Sequence, residues 1–428
     1  MAKFIIEGGH PLQGTIEPIG NKNAVLKMMA ASLLTAEPVT LTNVPAITDV
    51  RVMLRILEKL GTRTEYNETR GTLKLHTVKI KTTTIDSVDA RQLRASNIFL
   101  GPLLARVGRV DSAMPGGDKI GPREMNAHFD GLAQLGATVQ FRSSGDFSLR
   151  GRLRGAPVFL YEPSVTATEN VLLAAVLAPG VTTIDNAAAE PHVRELCGLL
   201  VAMGAQIEGA GTNRLRITGV KKLQGAEYRV PVDFIYVGTM AALAVMTKGS
   251  LTIKNVDAAD LRPLQYFFAK LGVTLTIKGR NLHVPKKQTR HVDDPVWART
   301  KGIYSQPWPC FPTDLMSLMI VLATQVSGSV LFFEKMYPAR MVFAEYLNGM
   351  GANIFSADSY RIVVNGPTPL TSRRLVAPDL RAGMAYVAAA LTARGRSTIE
   401  NVEHIDRGYP HMEIILSALG ARIKRIVD

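Results

Sequence analysis

The feature that most constrains this chain is a phrase that occurs six times. A stretch with helical character ends in Leu-Gly or Met-Gly and runs directly into a short alternating segment. The glycines are Gly61, Gly136, Gly204, Gly272, Gly351 and Gly420, roughly 70 residues apart. Glycine is the residue that a helix C-terminus needs for a left-handed cap. Upstream of each glycine the order also recurs. A β-branched segment such as 181–186 or 250–255 leads through a loop into an amphipathic stretch of about 15 residues, exemplified by the run from Arg262 to Gly272. Strands and helices in mixed order predict sheets with helices packed on them. A period of this length exceeds the 20–50 residues usual for solenoids. Six units therefore predict two domains of three units each, with the middle boundary near Val230-Pro231-Val232. The expected division is residues 22–231 against 1–21 plus 232–428.

With 428 residues, each domain is large enough to bury a core. Lys and Arg number 50 against 36 Asp and Glu, a formal charge of +14. The basic residues are scattered. Their densest run, Lys286-Lys287-Gln288-Thr289-Arg290, is too short for a polybasic tail. Aromatics at 6% also supply a poor stacking platform, so no nucleic-acid partner is expected. No apolar run reaches ~18 residues, so no membrane span is expected either. Only two cysteines, Cys197 and Cys310, rule out a disulfide framework and point to a reducing, cytoplasmic setting. An anionic membrane surface and small anionic substrates remain as reasons for the charge.

Four segments carry chemistry. Lys22 and Asn23 open an apolar helix predicted to run to Leu34, where the lysine charge adds to the helix dipole. The stretch Pro115-Gly116-Gly117-Asp118-Lys119-Ile120-Gly121-Pro122-Arg123 is a turn-rich loop bearing one carboxylate and two cations. Asp314, in Pro312-Thr313-Asp314, precedes an apolar helical stretch, where an N-cap aspartate is the plain alternative to a functional one. Arg407 stands in His404-Ile405-Asp406-Arg407-Gly408-Tyr409, with Asp379-Leu380-Arg381 upstream; arginines so close to acids are usually ion-paired.

Together these segments resemble the UDP-N-acetylglucosamine 1-carboxyvinyltransferases, a family of enolpyruvyl transferases, over essentially the whole chain. Glu7-Gly8-Gly9, Leu12-Gln13-Gly14, Arg94-Ala95-Ser96 and residues 101–106 extend the likeness. The related shikimate-pathway transferase carries Lys-Ser where this chain has Lys22-Asn23 and fits less well. The resemblance implies an α/β fold: a two-domain inside-out α/β barrel of six βαβαββ-type repeats, with the active site in the interdomain cleft. It implies transfer of the enolpyruvyl group of phosphoenolpyruvate to the 3′-hydroxyl of the sugar, by addition and elimination through a tetrahedral ketal. Phosphate is released, and no metal or organic cofactor takes part. It also implies a monomer that acts in the first committed step of peptidoglycan synthesis.

Residue by residue, the family match has Lys22, Arg123 and Arg407 hold phosphoenolpyruvate, whose phosphate and carboxylate call for clustered cations. Arg94, Arg340 and Arg381 bind anionic groups or steady the closed state. Asn23 and Asp314 face the sugar, and Asp314 is the candidate base. Ser164, Val165 and Thr166 match the loop that receives the nucleotide diphosphate, and Asp49 matches an aspartate near the lysine.

The chain departs from the family at instructive places. Asp118 stands where most members have the cysteine that protonates phosphoenolpyruvate and is alkylated by fosfomycin. An aspartate must be protonated to donate, so protonation coupled to substrate binding is expected, together with insensitivity to fosfomycin. Cys310 reads as a packed thiol. Glu162 replaces a common lysine, and Phe234 and Tyr236 replace Arg and Glu of an Asp-Arg-Ile-Glu segment. Residues 286–309, which hold Trp297 and Trp308, are longer than usual. These changes raise the alternative of an enolpyruvyl transferase with a different nucleotide or sugar acceptor.

Overall fold

A computed structural model describes residues 2–118, 120–292 and 302–427. Trp297 and Lys119 lie outside the described residues. The chain divides into two compact units. One comprises Gly20–Asp118 and Arg123–Pro231; the other comprises Met1–Ile19, Lys119–Pro122 and Val232–Asp428.

The unit of residues 20–118 and 123–231 contains three sheets, each built to one plan. In the first, Val39–Thr42 pairs in parallel with Ala226–Arg229 on one side. On its other side it pairs antiparallel with Thr72–His76, which pairs antiparallel with Arg63–Asn67. In the second, Pro157–Phe159, Val181–Asp185, Arg214–Thr218 and Gln206–Glu208 follow the same order and sense. The third keeps the antiparallel part in Arg109–Ser112, Phe147–Arg150 and Thr138–Phe141. A parallel bridge from Thr84 to Asp111 replaces its outer strand. Strand Ala226–Arg229 comes last in this unit yet pairs with its first sheet, so the three repeats close on themselves.

The unit containing residues 232–428 repeats the plan. Gln13–Ile16 is the parallel partner of Ser250–Ile253, followed by Asn281–Val284 and Thr276–Lys278. Gly302–Tyr304 plays that part for Gly328–Phe333, followed by Arg361–Gly366 and Asn353–Ser356. In the last sheet, Arg374–Val376 pairs with Arg396–Glu400. The third strand there is the N-terminal Ala2–Glu7, and Arg422–Val427 lies beyond it. The start of the chain thus completes the last repeat.

Within each unit the helices are of two kinds. Phe234–Met246 and Met316–Ala323 are buried along their whole length, and Leu380–Thr392 nearly so. Lys22–Ala31, Leu100–Val107 and Val165–Ala175 are the counterparts in the other unit. A helix that is apolar all round belongs inside. The outer helices, such as Thr48–Leu60, bury one face and end at the repeated glycines. Gly61, Gly136, Gly204, Gly272, Gly351 and Gly420 all have positive φ, from +63° to +107°. With helices inside and sheets outside, each unit is an inside-out α/β barrel. Among the described residues, no helix is long and apolar enough to cross a membrane.

Candidate active site

Most of the candidate residues sit at the N-terminal ends of the inner helices, and each unit holds its own set. In the unit of residues 20–118 and 123–231, Asn21 caps helix Lys22–Ala31 by accepting from the Ala24 N–H at 3.0 Å. That cap puts Lys22 in the first turn, where its Nζ lies 2.7 Å from Asp49 Oδ2. Asp49 belongs to the first turn of helix Thr48–Leu60 and is 2% exposed. Burial makes the lysine–aspartate contact tight and fixes the ammonium in place. Asn23 follows, half-buried.

The loop from Pro115 folds against the segment that carries Arg94. Gly117 has φ +112°, and a Cβ there would lie 3.0 Å from both the Arg94 Cβ and an Arg123 Nη. A glycine is therefore what allows Arg94, Asp118 and Arg123 to share one neighbourhood. Arg123 donates to the Asp118 carbonyl oxygen at 2.9 Å, and Arg94 donates to the Glu124 carbonyl at 2.8 Å.

Ser164 is the N-cap of helix Val165–Ala175. Thr166 meets His128 Nε2 at 3.0 Å. The Gly101 N–H donates to Asn170 Oδ1 at 2.8 Å, so Asn170 Nδ2 donates to His128 Nδ1 at 2.9 Å. The other ring nitrogen, Nε2, faces both the Thr166 hydroxyl and, at 3.4 Å, the Asn97 amide nitrogen. Burial pushes the His128 pKa down to about 3 and keeps the imidazole neutral. Sequence reasoning missed this support, because a lone histidine in a helix carries no motif. Glu162 is exposed, two residues before Ser164.

In the other unit, Asp233 and Asp379 cap helices Phe234–Met246 and Leu380–Thr392 through their carboxylates. Asp314 stands at the corresponding end of Met316–Ala323. It lies in the turn Thr313–Leu315, and its carboxylate meets Arg340 at 3.2 Å and Arg381 at 2.7 Å. Arg381 also donates to the Tyr409 hydroxyl at 3.0 Å, which is 2.8 Å from Thr239 Oγ1. Burial alone would lower the Arg381 pKa, but Asp314, Tyr409 and Asp233 hold it above its ordinary value. Arg407 follows the short helix Glu403–Asp406 and is half-buried.

Phe234 and Tyr236 are 5% and 2% exposed. Phe234 packs on Trp308 at 5.2 Å between ring centroids, and Tyr236 faces Tyr409 at 6.0 Å. These two departures from the family pattern are packed side chains in the first turn of their helix.

The chain matches the family model described as EPSP synthase (3-phosphoshikimate 1-carboxyvinyltransferase) over residues 6–416. A UDP-N-acetylglucosamine 1-carboxyvinyltransferase of Treponema denticola is 47% identical, covering 99% of both chains. One from Bradyrhizobium diazoefficiens is 46% identical over 100% of this chain and 98% of its own. Among solved structures, the enolpyruvyl transferase NikO of Streptomyces tendae superposes with a TM-score of 0.87 at 22% identity, covering 100% of this chain and 99% of its own. EPSP synthase of Acinetobacter baumannii gives 0.76 at 19% identity, covering 100% of both chains. With the fold, the repeats and full-length identity in agreement, this chain belongs to the carboxyvinyl (enolpyruvyl) transferase family and stands with its UDP-N-acetylglucosamine 1-carboxyvinyltransferases.

Proposed function

We propose that this protein transfers the enolpyruvyl group of phosphoenolpyruvate to the 3′-hydroxyl of UDP-N-acetylglucosamine, the first committed step of peptidoglycan synthesis. The observation that carries the reading is the Asp314 carboxylate. It stands between Arg340 and Arg381 at the start of an inner helix, held ionised and in one place by the two guanidinium groups. Lys22, Arg123 and Arg407 supply the cations for phosphate and carboxylate. Ser164, Val165 and Thr166 receive the diphosphate, with Asn23 on the sugar.

The acceptor hydroxyl gives its proton to Asp314 as its oxygen bonds to C2 of phosphoenolpyruvate. The methylene C3 takes a proton from Asp118 and becomes a methyl group, giving the tetrahedral ketal. In the collapse the C2–O bond to phosphate breaks, the Asp118 carboxylate takes back a methyl proton as the C2–C3 double bond re-forms, and Asp314 returns its proton to the departing phosphate, so the enol ether and inorganic phosphate leave with both carboxyl groups restored. Positioning and charge neutralisation do most of the work.

The test is phosphate release from phosphoenolpyruvate with UDP-N-acetylglucosamine as acceptor, and the mass of the product. A product heavier by one enolpyruvyl group establishes the reaction. Binding of phosphoenolpyruvate without turnover assigns the chain to another acceptor, with Glu162 the first residue to examine.

A further inference from the structure

Behind Asp314 and Arg340 lies a carboxylate to which the proposed reaction assigns no role. Glu334 follows strand Gly328–Phe333 and is fully buried. Its two oxygens gather four donors from three separate segments. Oε1 accepts from Ser305 Oγ at 2.6 Å, from the Met336 N–H at 2.9 Å and from the Tyr337 N–H at 3.2 Å. Oε2 accepts from Thr313 Oγ1 at 2.7 Å. Ser305 Oγ in turn accepts from the Lys335 N–H at 2.9 Å.

Each of these partners leads to the candidate base. Thr313 is the residue before Asp314. Met336 and Tyr337 begin the turn whose continuation, Pro338–Met341, carries Arg340. The Arg340 guanidinium lies over the Tyr337 ring at 5.2 Å, and its Nη reaches Asp314 at 3.2 Å. The aspartate and one of the two arginines that hold it are thus mounted on backbone tied to one side chain. A buried polar hub with its partners satisfied specifies one arrangement and rigidifies it. A supporting shell of this kind decides whether a functional group sits within a fraction of an ångström of its working position.

We propose that Glu334 is a positioning residue for the reaction: it fixes the Thr313–Asp314 turn and the Met336–Arg340 segment in register, so that Asp314 and Arg340 meet in the geometry that accepts the hydroxyl proton. This inference rests on the enolpyruvyl-transfer reading for its rate consequences, but not for its structural ones. Glutamine at position 334 can keep the three contacts at Oε1 and turn its amide toward Thr313, whose hydroxyl can accept instead of donate. Alanine can keep none of them.

The experiment compares Glu334→Gln, Glu334→Ala and Thr313→Val with the wild-type protein. Expected are a kcat about 100-fold lower in Glu334→Ala and about 10-fold lower in Thr313→Val, with KM for phosphoenolpyruvate nearly unchanged and Glu334→Gln within a few-fold of wild type. In an Asp314→Asn background, Glu334→Ala is expected to cost almost nothing further, because both act on one step. An activity-independent readout accompanies these: the NMR signal of the Arg340 Nε–H, assigned from Arg340→Lys, should keep its wild-type position in the glutamine variant and shift in Thr313→Val. Loss of stability with unchanged kcat per folded molecule, or an Arg340 signal blind to Thr313→Val, would overturn the proposal. If the signal behaves as expected while wild type shows no turnover with UDP-N-acetylglucosamine, the reading of the acceptor fails and the positioning role stands.

Discussion

In the proposed reaction the residue at position 118 gives a proton to the methylene carbon, and in this chain that residue is an aspartate. Its loop is held by Gly117 against Arg94 and Arg123. Replacing Asp118 with Asn preserves size and removes the acid, so turnover should fall by three orders of magnitude or more, toward the upper end of what general acid catalysis provides. Retention of the full rate, measured by phosphate release, would take Asp118 out of the mechanism. The same residue bears on inhibition. A carboxylate is a far poorer nucleophile than a thiolate toward an epoxide. Wild type should therefore be indifferent to millimolar fosfomycin, whereas Asp118→Cys should become covalently modified, visible as added mass on the intact protein. Covalent modification of wild type at micromolar drug would refute this. On the other side of the chemistry, Asp314→Asn keeps the arginine contacts possible but cannot accept a proton, so kcat should drop 10²- to 10⁴-fold with substrate binding retained.

At the scale of elements, two inner helices are tied together one turn below their candidate residues. Lys27, on the helix that begins with Lys22, lies 3.5 Å from Glu169, on the helix that begins after Ser164. Both are buried, at 5% and 0% exposure. Burial pushes the Glu169 pKa up to about 7, outweighing Lys27, with Glu190 adding to the rise. The folded state therefore holds a proton that the unfolded state has released, between the unfolded carboxylate range near pH 4.5 and pH 7. Stability from this group is fully present below the unfolded pKa and declines as pH rises through about 7, by about 3 kcal/mol in total. Urea unfolding from pH 4.5 to 7.5 should show a downward slope in wild type that is shallower by up to one proton in Glu169→Gln; equal slopes would mean that Glu169 does not titrate there.

This pair also marks where sequence reading ends. The outer helices announce themselves by amphipathic spacing and a terminal glycine, and all six glycines adopt positive φ. The helix ends bearing Lys22, Ser164 and Asp314 stand out because polar residues interrupt apolar runs there. Lys27, His128, Glu169 and Glu334 look like any surface residue in the sequence. Their meaning depends on partners 21 to 142 positions away, and neither composition nor period encodes such pairings.

At the scale of the whole molecule, the order of strands gives the two units different relations to the chain. The unit of residues 20–118 and 123–231 draws every strand of its three sheets from within residues 20–231, since Ala226–Arg229 returns to pair with Val39–Thr42. The other unit needs both ends of the chain. Ala2–Glu7 is an interior strand of its last sheet, between Arg396–Glu400 and Arg422–Val427, and Gln13–Ile16 is the parallel partner of Ser250–Ile253. Without residues 2–16, the last sheet would lose its central ladder, and Phe4 and Ile6, both fully buried, would leave cavities in the core. Backbone groups stripped of a ladder partner inside a sheet carry a full desolvation cost. Residues 20–231 expressed alone are therefore expected to unfold in one cooperative thermal transition, with slow amide exchange along Val165–Ala175. Residues 232–428 alone are expected to show no such transition. A circular permutant that joins residue 428 to residue 1 through a short glycine-serine linker and begins at 232 restores the missing strands, and with them cooperativity. Cooperative unfolding of 232–428 without residues 1–19 would show that the N-terminal strand is an accessory to this fold, and the cyclic closure of its three repeats would then lose its energetic meaning.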